Sequence, residues 1–431
     1  MRHLPITLAA VAALAATAAP ARADTVTDWN DAASTAIVGV ARQPPPVAIL
    51  SFAMVQGAVY DAVESIDGRY RPYLATPPSR HSDSQDAAAA TAAFRVLSAL
   101  FPAQQAMLQA RYDASMAAVA DGPAKTRGIS DGAGAAAAML AARQDDGRGG
   151  PFTLVTGTTP GAWRPGPQNP LAQDPAPWVG NVRPFLVPGV DMLQVAGPHP
   201  LTSRAYARDV NEVKSLGALH STTRTPDETD AAIFWQENAW SLYNRAFRTL
   251  AADNHLSMAD SARMLAMTNL AGADAGIGCW HEKYRWNFWR PITAIREAGT
   301  DGNPATTADP DWLPLFDSST AVAPGAPALV TPPFPDNPSG HLCATSAVVR
   351  MLQHFFGRDR VPVTFASTES GTTRHFARLS DILHEVMNAR VWAGIHFRTA
   401  DIQGAGLGAT VARYERRHFF QRVSGGGAPG S

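Results

Sequence analysis

Three short stretches in the C-terminal half hold the residues of this chain best suited to chemistry. They are Lys283-Tyr-Arg-Trp-Asn-Phe-Trp-Arg290-Pro291, Pro338-Ser339-Gly340-His341 and Arg390-Val-Trp-Ala-Gly-Ile-His396. Together they supply fixed cations at Lys283, Arg290 and Arg390, a hydroxyl, a glycine amide and two imidazoles. That inventory suits a compact, highly charged tetrahedral oxyanion such as phosphate or vanadate. A trianion leaves water only against about three positive charges and several donors, because an uncompensated buried charge is strongly unfavourable.

The spacing predicts how these groups converge. Lys283 and Arg290 are seven residues apart, about 700° on a helix, so both side chains leave one face. Pro291 predicts a stop or kink just after Arg290. The interleaved Trp286, Phe288 and Trp289 argue against a freely solvated basic face. Lysine is scarce, Lys283 being one of three with Lys125 and Lys214. A compact ammonium at such a position does something a planar guanidinium cannot. Ser339 stands where an N-cap belongs, ahead of an apolar helix marked by Leu342, Val349, Leu352 and Phe356. Gly340 allows close backbone approach there, and the first turn offers free N–H groups to an oxyanion. His341 falls in that turn. Arg390 and His396 are six apart, on different sides of an ideal helix, with Gly394 between them. This predicts a helix ending near Trp392 and a tight turn returning His396 toward Arg390, whose fork suits bidentate contacts.

The elements that must position these groups read as helical. From Ser51 to about Ala142, apolar residues recur at helical spacing at Val55, Val59, Val63 and Ile66, then around Phe94, Leu97 and Leu100. Ser82 or Asp83 is the expected N-cap of the second run, and Pro102 a helix end or restart. Residues 147–200 break the pattern with Gly/Pro turn signals. A structureless loop of that length is unusual, so it is expected to wrap the helical body, anchored by Trp163, Trp178 and Phe185. Helical patterning resumes at Ser203 and runs, with breaks, to about Phe420. Thr225 and Glu228 form a capping-box pattern opening a helix that carries Phe234, Trp235 and Trp240. The expected organisation is an all-α bundle: an N-terminal scaffold over 24–146, the connecting segment over 147–200, a catalytic bundle over 201–422, and a disordered Gly/Ser-rich tail over 423–431.

Residues 1–23 have the form of an export signal: Arg2 and His3, an apolar run from Leu8 to Ala19, and Ala21-Arg22-Ala23 before Asp24. No twin arginine is present, which favours general secretion to the periplasm or beyond. A net charge of −1 gives no electrostatic case for nucleic acid or an anionic membrane. No apolar run after the signal is expected to reach the ~20 residues a membrane helix requires. Two cysteines, Cys279 and Cys343, rule out a disulfide scaffold, and buried free thiols are favoured over a bridge between them.

The combined pattern, Lys-x6-Arg-Pro, then Pro-Ser-Gly-His, then Arg-x5-His, resembles the vanadium-dependent haloperoxidases and the related type-2 phosphatidic acid phosphatase superfamily. The stretch Pro198 to Trp235, with Asp209-Val-Asn-Glu-Val-Lys-Ser-Leu-Gly217, is similar to bacterial haloperoxidases. The resemblance implies an all-helical bundle with the cofactor at one end. It implies that Lys283, Arg290 and Arg390 neutralise the oxygens of vanadate, that Ser339 and the Gly340 amide hydrogen-bond to them, and that His396 is the axial ligand to vanadium. His341 is then the acid–base group, and Trp280 and Phe334 line the substrate pocket. Two departures stand out. The phosphatase pattern has an aspartate four residues after the histidine, whereas position 400 is Ala and Asp401 lies five on. The carboxylate that supports the last arginine in haloperoxidases corresponds to Asn238 here, beside Glu237.

Three functions compete. The first is oxidation of halide by hydrogen peroxide to hypohalous acid or an equivalent, passed to a small organic acceptor. The second is phosphomonoester hydrolysis through a phosphohistidine at His396, since phosphate and vanadate share shape and charge. The third, a pure anion-binding protein, has no need of two imidazoles at one tetrahedral centre.

Overall fold

The computed structural model describes residues 24–74, 77, 79–317 and 329–423. The export signal at 1–23 and the tail from 424 lie outside the described residues. Among the latter are thirteen α-helices: α1 (Thr25–Ser34), α2 (Pro45–Asp67), α3 (Gln85–Leu100), α4 (Gln105–Ala117), α5 (Pro123–Ala142), α6 (Arg204–Leu216), α7 (Pro226–Phe234), α8 (Ala239–Asp253), α9 (Met258–Trp286), α10 (Pro291–Arg296), α11 (Gly340–Phe356), α12 (Leu379–Trp392) and α13 (Arg398–His418). The all-α expectation holds, with one addition: an antiparallel hairpin of β1 (Val363–Ala366) and β2 (Thr373–Phe376), which pairs Val363 with Phe376.

The long helix α9 organises the molecule. On one side it packs against α2, and on the other against α11 and α13. One apolar cluster runs from Val26 in α1 through α2 and α9 to Phe420. Helix α2 is apolar enough over 23 residues to cross a membrane by length and composition, contrary to the expectation that no later run would be. Its surroundings explain the composition: α3, α5 and α9 cover it, and 94% of its most apolar window is buried inside the protein. A helix apolar all round is what a central position requires.

Local chemistry corrects several expected boundaries. Ser84, rather than Ser82 or Asp83, caps α3 by accepting from the Ala87 amide. Thr225 and Glu228 do form the reciprocal capping box, but α7 ends at Phe234. Trp235 to Asn238 then break the chain, and Trp240 belongs to α8. Pro102 opens a single 3-10 turn leading into α4, as a restart signal should.

The Gly/Pro segment does wrap the helical body, with Trp163 and Phe185 buried and Trp178 packed on the core. What pins it is polar. Asp274, wholly buried in α9, accepts from the amides of Phe185, Leu186 and Val187 at 2.5, 2.8 and 2.8 Å. Irregular backbone there finds its hydrogen-bond partners on the helix it covers.

Helix α13 approaches α11 through glycines. A Cβ on Gly408 would stand 2.2 Å from the Cys343 carbonyl oxygen, and one on Gly404 would stand 2.6 Å from that of Ser339. Both obstacles are backbone, so neither can swing aside. Gly408→Ala is expected to lower stability by about 1–3 kcal/mol through overpacking, read as a lower urea midpoint at unchanged slope. Gly406→Ala is the control: a Cβ there meets nothing within 4 Å, so the midpoint should hold or rise.

Candidate active site

The site forms where α9, the loop before α11, and the turn between α12 and α13 meet. Lys283 lies in the last turn of α9, which Asn287 ends in the left-handed conformation at φ 45°. Arg290 is therefore not on the same helix. It is the N-cap of α10, and Pro291 opens that helix rather than stopping one, a position where the missing N–H of proline costs nothing. The two cations still share one site because Asn287 turns the chain out of α9 before Arg290 caps α10. Helix α12 does end at Trp392, and Gly394 at φ 76° makes the tight turn that carries His396 back to Arg290 and Arg390.

All three cations are buried, Lys283 at 0%, Arg390 at 1% and Arg290 at 2% exposure. The Lys283 ammonium donates to the carbonyls of Pro335, Asp336 and Pro338. Its charge thus faces the site while its hydrogens clamp the loop before α11. Arg290 donates through Nε to the Phe334 carbonyl at 2.7 Å and through Nη1 to that of Ile395 at 2.8 Å. Nη1 also lies 3.1 Å from His396 Nε2. Arg390 makes a long contact of 3.4 Å to the Trp235 carbonyl, which the early end of α7 leaves available.

Among the buried polar atoms of the cluster without a hydrogen-bond partner are Arg290 Nη2, Arg390 Nε, Ser339 Oγ and His341 Nε2, together with Asp336 Oδ2 and both carboxyl oxygens of Asp401. Buried donors are normally satisfied, and a set of this kind in one place marks a binding cradle. Ser339 occupies the N-cap position of α11 but makes no capping bond, and its hydroxyl lies beside the buried Asp401 carboxyl. Gly340 follows with its face against the Trp280 ring, where a Cβ would come to 3.2 Å. The free end of α11 adds its own positive field.

Electrostatics describe a cluster rich in positive charge. Burial, then the charge of Arg290, pull Lys283 down, to about 8, against Cys279 and Asp336. His396 is driven well below the usual histidine range by burial and then by Arg290, Lys283, Arg390 and His341. His341 is lowered likewise by burial and Arg390, opposed by the Trp235 carbonyl. Both imidazoles are therefore neutral, and Lys283, Arg290, Arg390, His341 and His396 lie close enough to act on one another. Trp280 and Phe334 form its apolar wall, with ring centroids 5.2 Å apart. The Phe334 ring lies 4.9 Å from the Arg290 guanidinium and 5.3 Å from Lys283. Cys279 and Cys343 are buried free thiols behind it.

Two carboxylates matter that the spacing rules did not single out. Asp336, three residues before Ser339, puts Oδ1 2.8 Å from His396 Nδ1. Its pKa is raised to about 7, mainly by burial, with Arg290 and Lys283 opposing. Asp174, in the Gly/Pro segment, holds Trp280 Nε1 at 2.9 Å and the Tyr284 hydroxyl. The cue to Asp336 in the sequence was its place two residues before Pro338. Asp401 stays buried near Ser339 and Arg390 rather than backing His396, held well above the carboxylate range mainly by burial. Glu237 is spent on Arg245 and Thr368, and Asn238 caps α8. Neither supports Arg390.

Residues 263–425 match the VCPO second helical-bundle domain. The chain is 33% identical over 222 residues to the vanadium chloroperoxidase of Curvularia inaequalis, a match covering 44% of this chain. It spans only about a third, 34%, of that relative's length. Among solved structures, a bacterial vanadium-dependent iodoperoxidase superposes with a TM-score of 0.76 at 22% identity, covering 92% of this chain and 97% of that one. A holo-type bacterial vanadium-dependent chloroperoxidase gives 0.68 at 18% identity, over 93% and 99%. At such identities the superpositions speak for the fold.

Proposed function

We propose that this chain, a member of the vanadium haloperoxidase family through its residues 263–425, is a vanadate-dependent peroxidase that oxidises halide with hydrogen peroxide, giving hypohalous acid or its equivalent for an organic acceptor. The observation that carries this reading is the set of unpartnered donors on Arg290, Arg390 and Ser339 beside a buried, neutral imidazole. These groups fit a tetrahedral oxyanion with a nitrogen ligand on one side. Arg290 Nη2, Arg390 Nε, Ser339 Oγ and the Gly340 amide would hold vanadate, His396 would ligate it, and Lys283 would contribute its charge. Bound there, vanadate supplies a Lewis-acidic centre at which peroxide becomes reactive toward halide.

The chain's own groups do the rest. The cations are buried and pre-placed, so little reorganisation accompanies charge build-up in the site. His341 is half-buried, with Nε2 free. Its neutral imidazole accepts a proton from an incoming acid, and an anion in the cradle, by offsetting Arg390, favours the protonated form. Trp280 and Phe334 keep water from the face a halide would approach. Export before action belongs to the same reading, and so does the absence of any nucleic-acid partner.

His341→Ala is expected to cut turnover by about 10²–10⁴-fold, the usual worth of a placed acid–base group, while vanadate affinity falls much less. Stopped-flow halogenation and equilibrium vanadate binding separate the two. An unchanged rate removes the proton-transfer role. Whole-protein activity is tested on one purified sample, half loaded with orthovanadate and given peroxide with iodide, bromide or chloride and a halogen-trapping dye. The other half, vanadate-free, receives an aryl phosphate. Vanadate-dependent dye halogenation is the expected result. Efficient phosphate release inhibited by vanadate, without halogenation, would move the chain to the phosphatase branch.

A further inference from the structure

We infer that Asp174 is a positioning residue: it pins the Trp280 indole by its N–H, so that the six-membered edge of the ring closes the site against Gly340, and this tie sets how well halide is bound. The effect on halide rests on the proposed function, whereas the placement of the ring does not.

The indole is gripped at opposite ends. Its Nε1 donates to Asp174 Oδ2 at 2.9 Å. Its six-membered edge lies against Gly340, where a Cβ would come to 3.2 Å from Cζ3 and 3.4 Å from Cη2. An indole nitrogen only donates and has no alternative tautomer, and a carboxyl group offers an accepting oxygen whether or not it is ionised. Asp174 and Trp280 are 5% and 6% exposed, so water is a poor substitute for either partner. A half-turn of the ring about its Cβ–Cγ bond would take Nε1 away from Asp174 and swing the six-membered edge off Gly340. One hydrogen bond therefore selects one orientation from the two that this broad torsion allows.

Asp174 can hold the ring because it is itself held. Its Oδ1 accepts from the Ala176 amide at 2.9 Å, and Oδ2 accepts a second bond from the Tyr284 hydroxyl at 2.5 Å. The 3-10 turn that follows, Pro177–Asn181, sits directly on α9: a Cβ on Gly180 would stand 2.5 Å from the backbone nitrogen of His281. Phe152, near the start of the same Gly/Pro segment, places its ring 4.7 Å from that of Tyr284. The segment thus reaches the site through Trp280.

The other side of the indole belongs to the cluster. Its centroid lies 5.2 Å from that of Phe334 and 5.9 Å from the Lys283 ammonium. A halide settles beside the cations only after shedding water, and a wall that swings open lets water compete. Releasing the indole therefore weakens halide binding. Arg290, Arg390 and Ser339, none of which hydrogen-bonds to Asp174, keep their hold on vanadate.

The test begins without vanadate. The full chain is deuterated except at tryptophan and glycine, and NOEs are recorded from Trp280 Hζ3 and Hη2 to Gly340 Hα. The Trp280 signals are identified among the ten tryptophans by their loss in Trp280→Phe. Wild type should show these NOEs and a slowly exchanging Trp280 indole N–H. Asp174→Ala should lose the NOEs and exchange that N–H at least about tenfold faster. With vanadate loaded, halide KM should rise about tenfold or more in Asp174→Ala, the scale of one lost hydrogen bond to a charged group, while vanadate affinity holds. Adding Asp174→Ala to Trp280→Phe should raise halide KM little further, because both act through one contact. Fully additive rises would make Asp174 merely structural and overturn the inference. Wild type without the NOEs, NOEs unchanged in Asp174→Ala, or a vanadate affinity falling in step with halide would do the same. If Asp174→Ala does not fold, Trp280→Phe decides from the other end: it keeps an apolar ring and loses the N–H, and an unchanged halide KM there overturns the inference. A wild type with the NOEs but no vanadate-dependent halogenation would refute the peroxidase reading and leave the hold of Asp174 on the ring standing.

Discussion

His396→Ala should eliminate vanadate-dependent turnover, a fall of at least about 10³-fold, because groups acting as one unit lose nearly everything when a central member goes. The fold should survive. His396 belongs to the polar cradle and to none of the apolar clusters. Its removal exposes Asp336 Oδ1 and Arg290 Nη1 to each other, already 4.0 Å apart, so each former partner finds another. Circular-dichroism melting should therefore change little, while halogenation of the dye disappears. Full turnover with vanadate present would sink the ligand assignment. A melt collapsing well below that of wild type would show that the imidazole is structural instead.

The second large effect concerns Arg290→Ala. This guanidinium is the most heavily engaged cation of the site and still keeps Nη2 free. Losing one member of a buried, hydrogen-bonded charge pair typically costs about 2–5 kcal/mol in binding. Vanadate affinity should thus fall by about 10²–10³-fold. Stability without vanadate should move much less, since two opposing changes accompany the substitution. The carbonyls of Phe334 and Ile395 lose a donor, which is unfavourable. Arg390 and Lys283 lose a neighbour that repels them, since each is pushed down partly by Arg290. The clean readout is ligand-linked. Vanadate at about 100 times the wild-type dissociation constant should stabilise wild type by about 2.7 kcal/mol. At the same concentration the variant should gain at most about 0.4 kcal/mol. Arg290→Lys should fall between them, keeping the charge but losing the planar fork. Equal vanadate-induced shifts in wild type and Arg290→Ala would remove Arg290 from the cradle.

Much of the site was legible in the sequence because its chemistry is carried by residue types at short range. A lysine in an arginine-biased chain, a Ser-Gly-His at a helix start and an Arg-Val-Trp-Ala-Gly-Ile-His turn each state a local geometry. The Gly394 turn and the Ser339 N-cap position follow from φ preferences and end effects that act within a few residues. Local rules failed at Arg290. Helical phase alone put it on one face with Lys283, but Asn287 in the left-handed conformation ended the helix first. Convergence came from the chain leaving the helix at Asn287, which phase arithmetic does not contain. Trp240 was misplaced for a similar reason: periodicity continues across Trp235 to Asn238 although the helix does not.

What the sequence determined by itself was the class of fold, through apolar spacing, and the identity of the charged groups in the cradle. Tertiary structure alone decided which carboxylate serves which group. On paper the candidates were Asp401, Glu237 and Asn238, and Asp336 was not among them. Burial and distance gave His396 to Asp336, left Asp401 beside Ser339 and Arg390, and sent Glu237 to Arg245. Pairing between groups sixty residues apart in the chain, as Asp336 and His396 are, depends on how α9, α11 and α13 pack. That packing turns on backbone approach at Gly404 and Gly408, a three-dimensional condition that spacing along one strand of sequence does not encode.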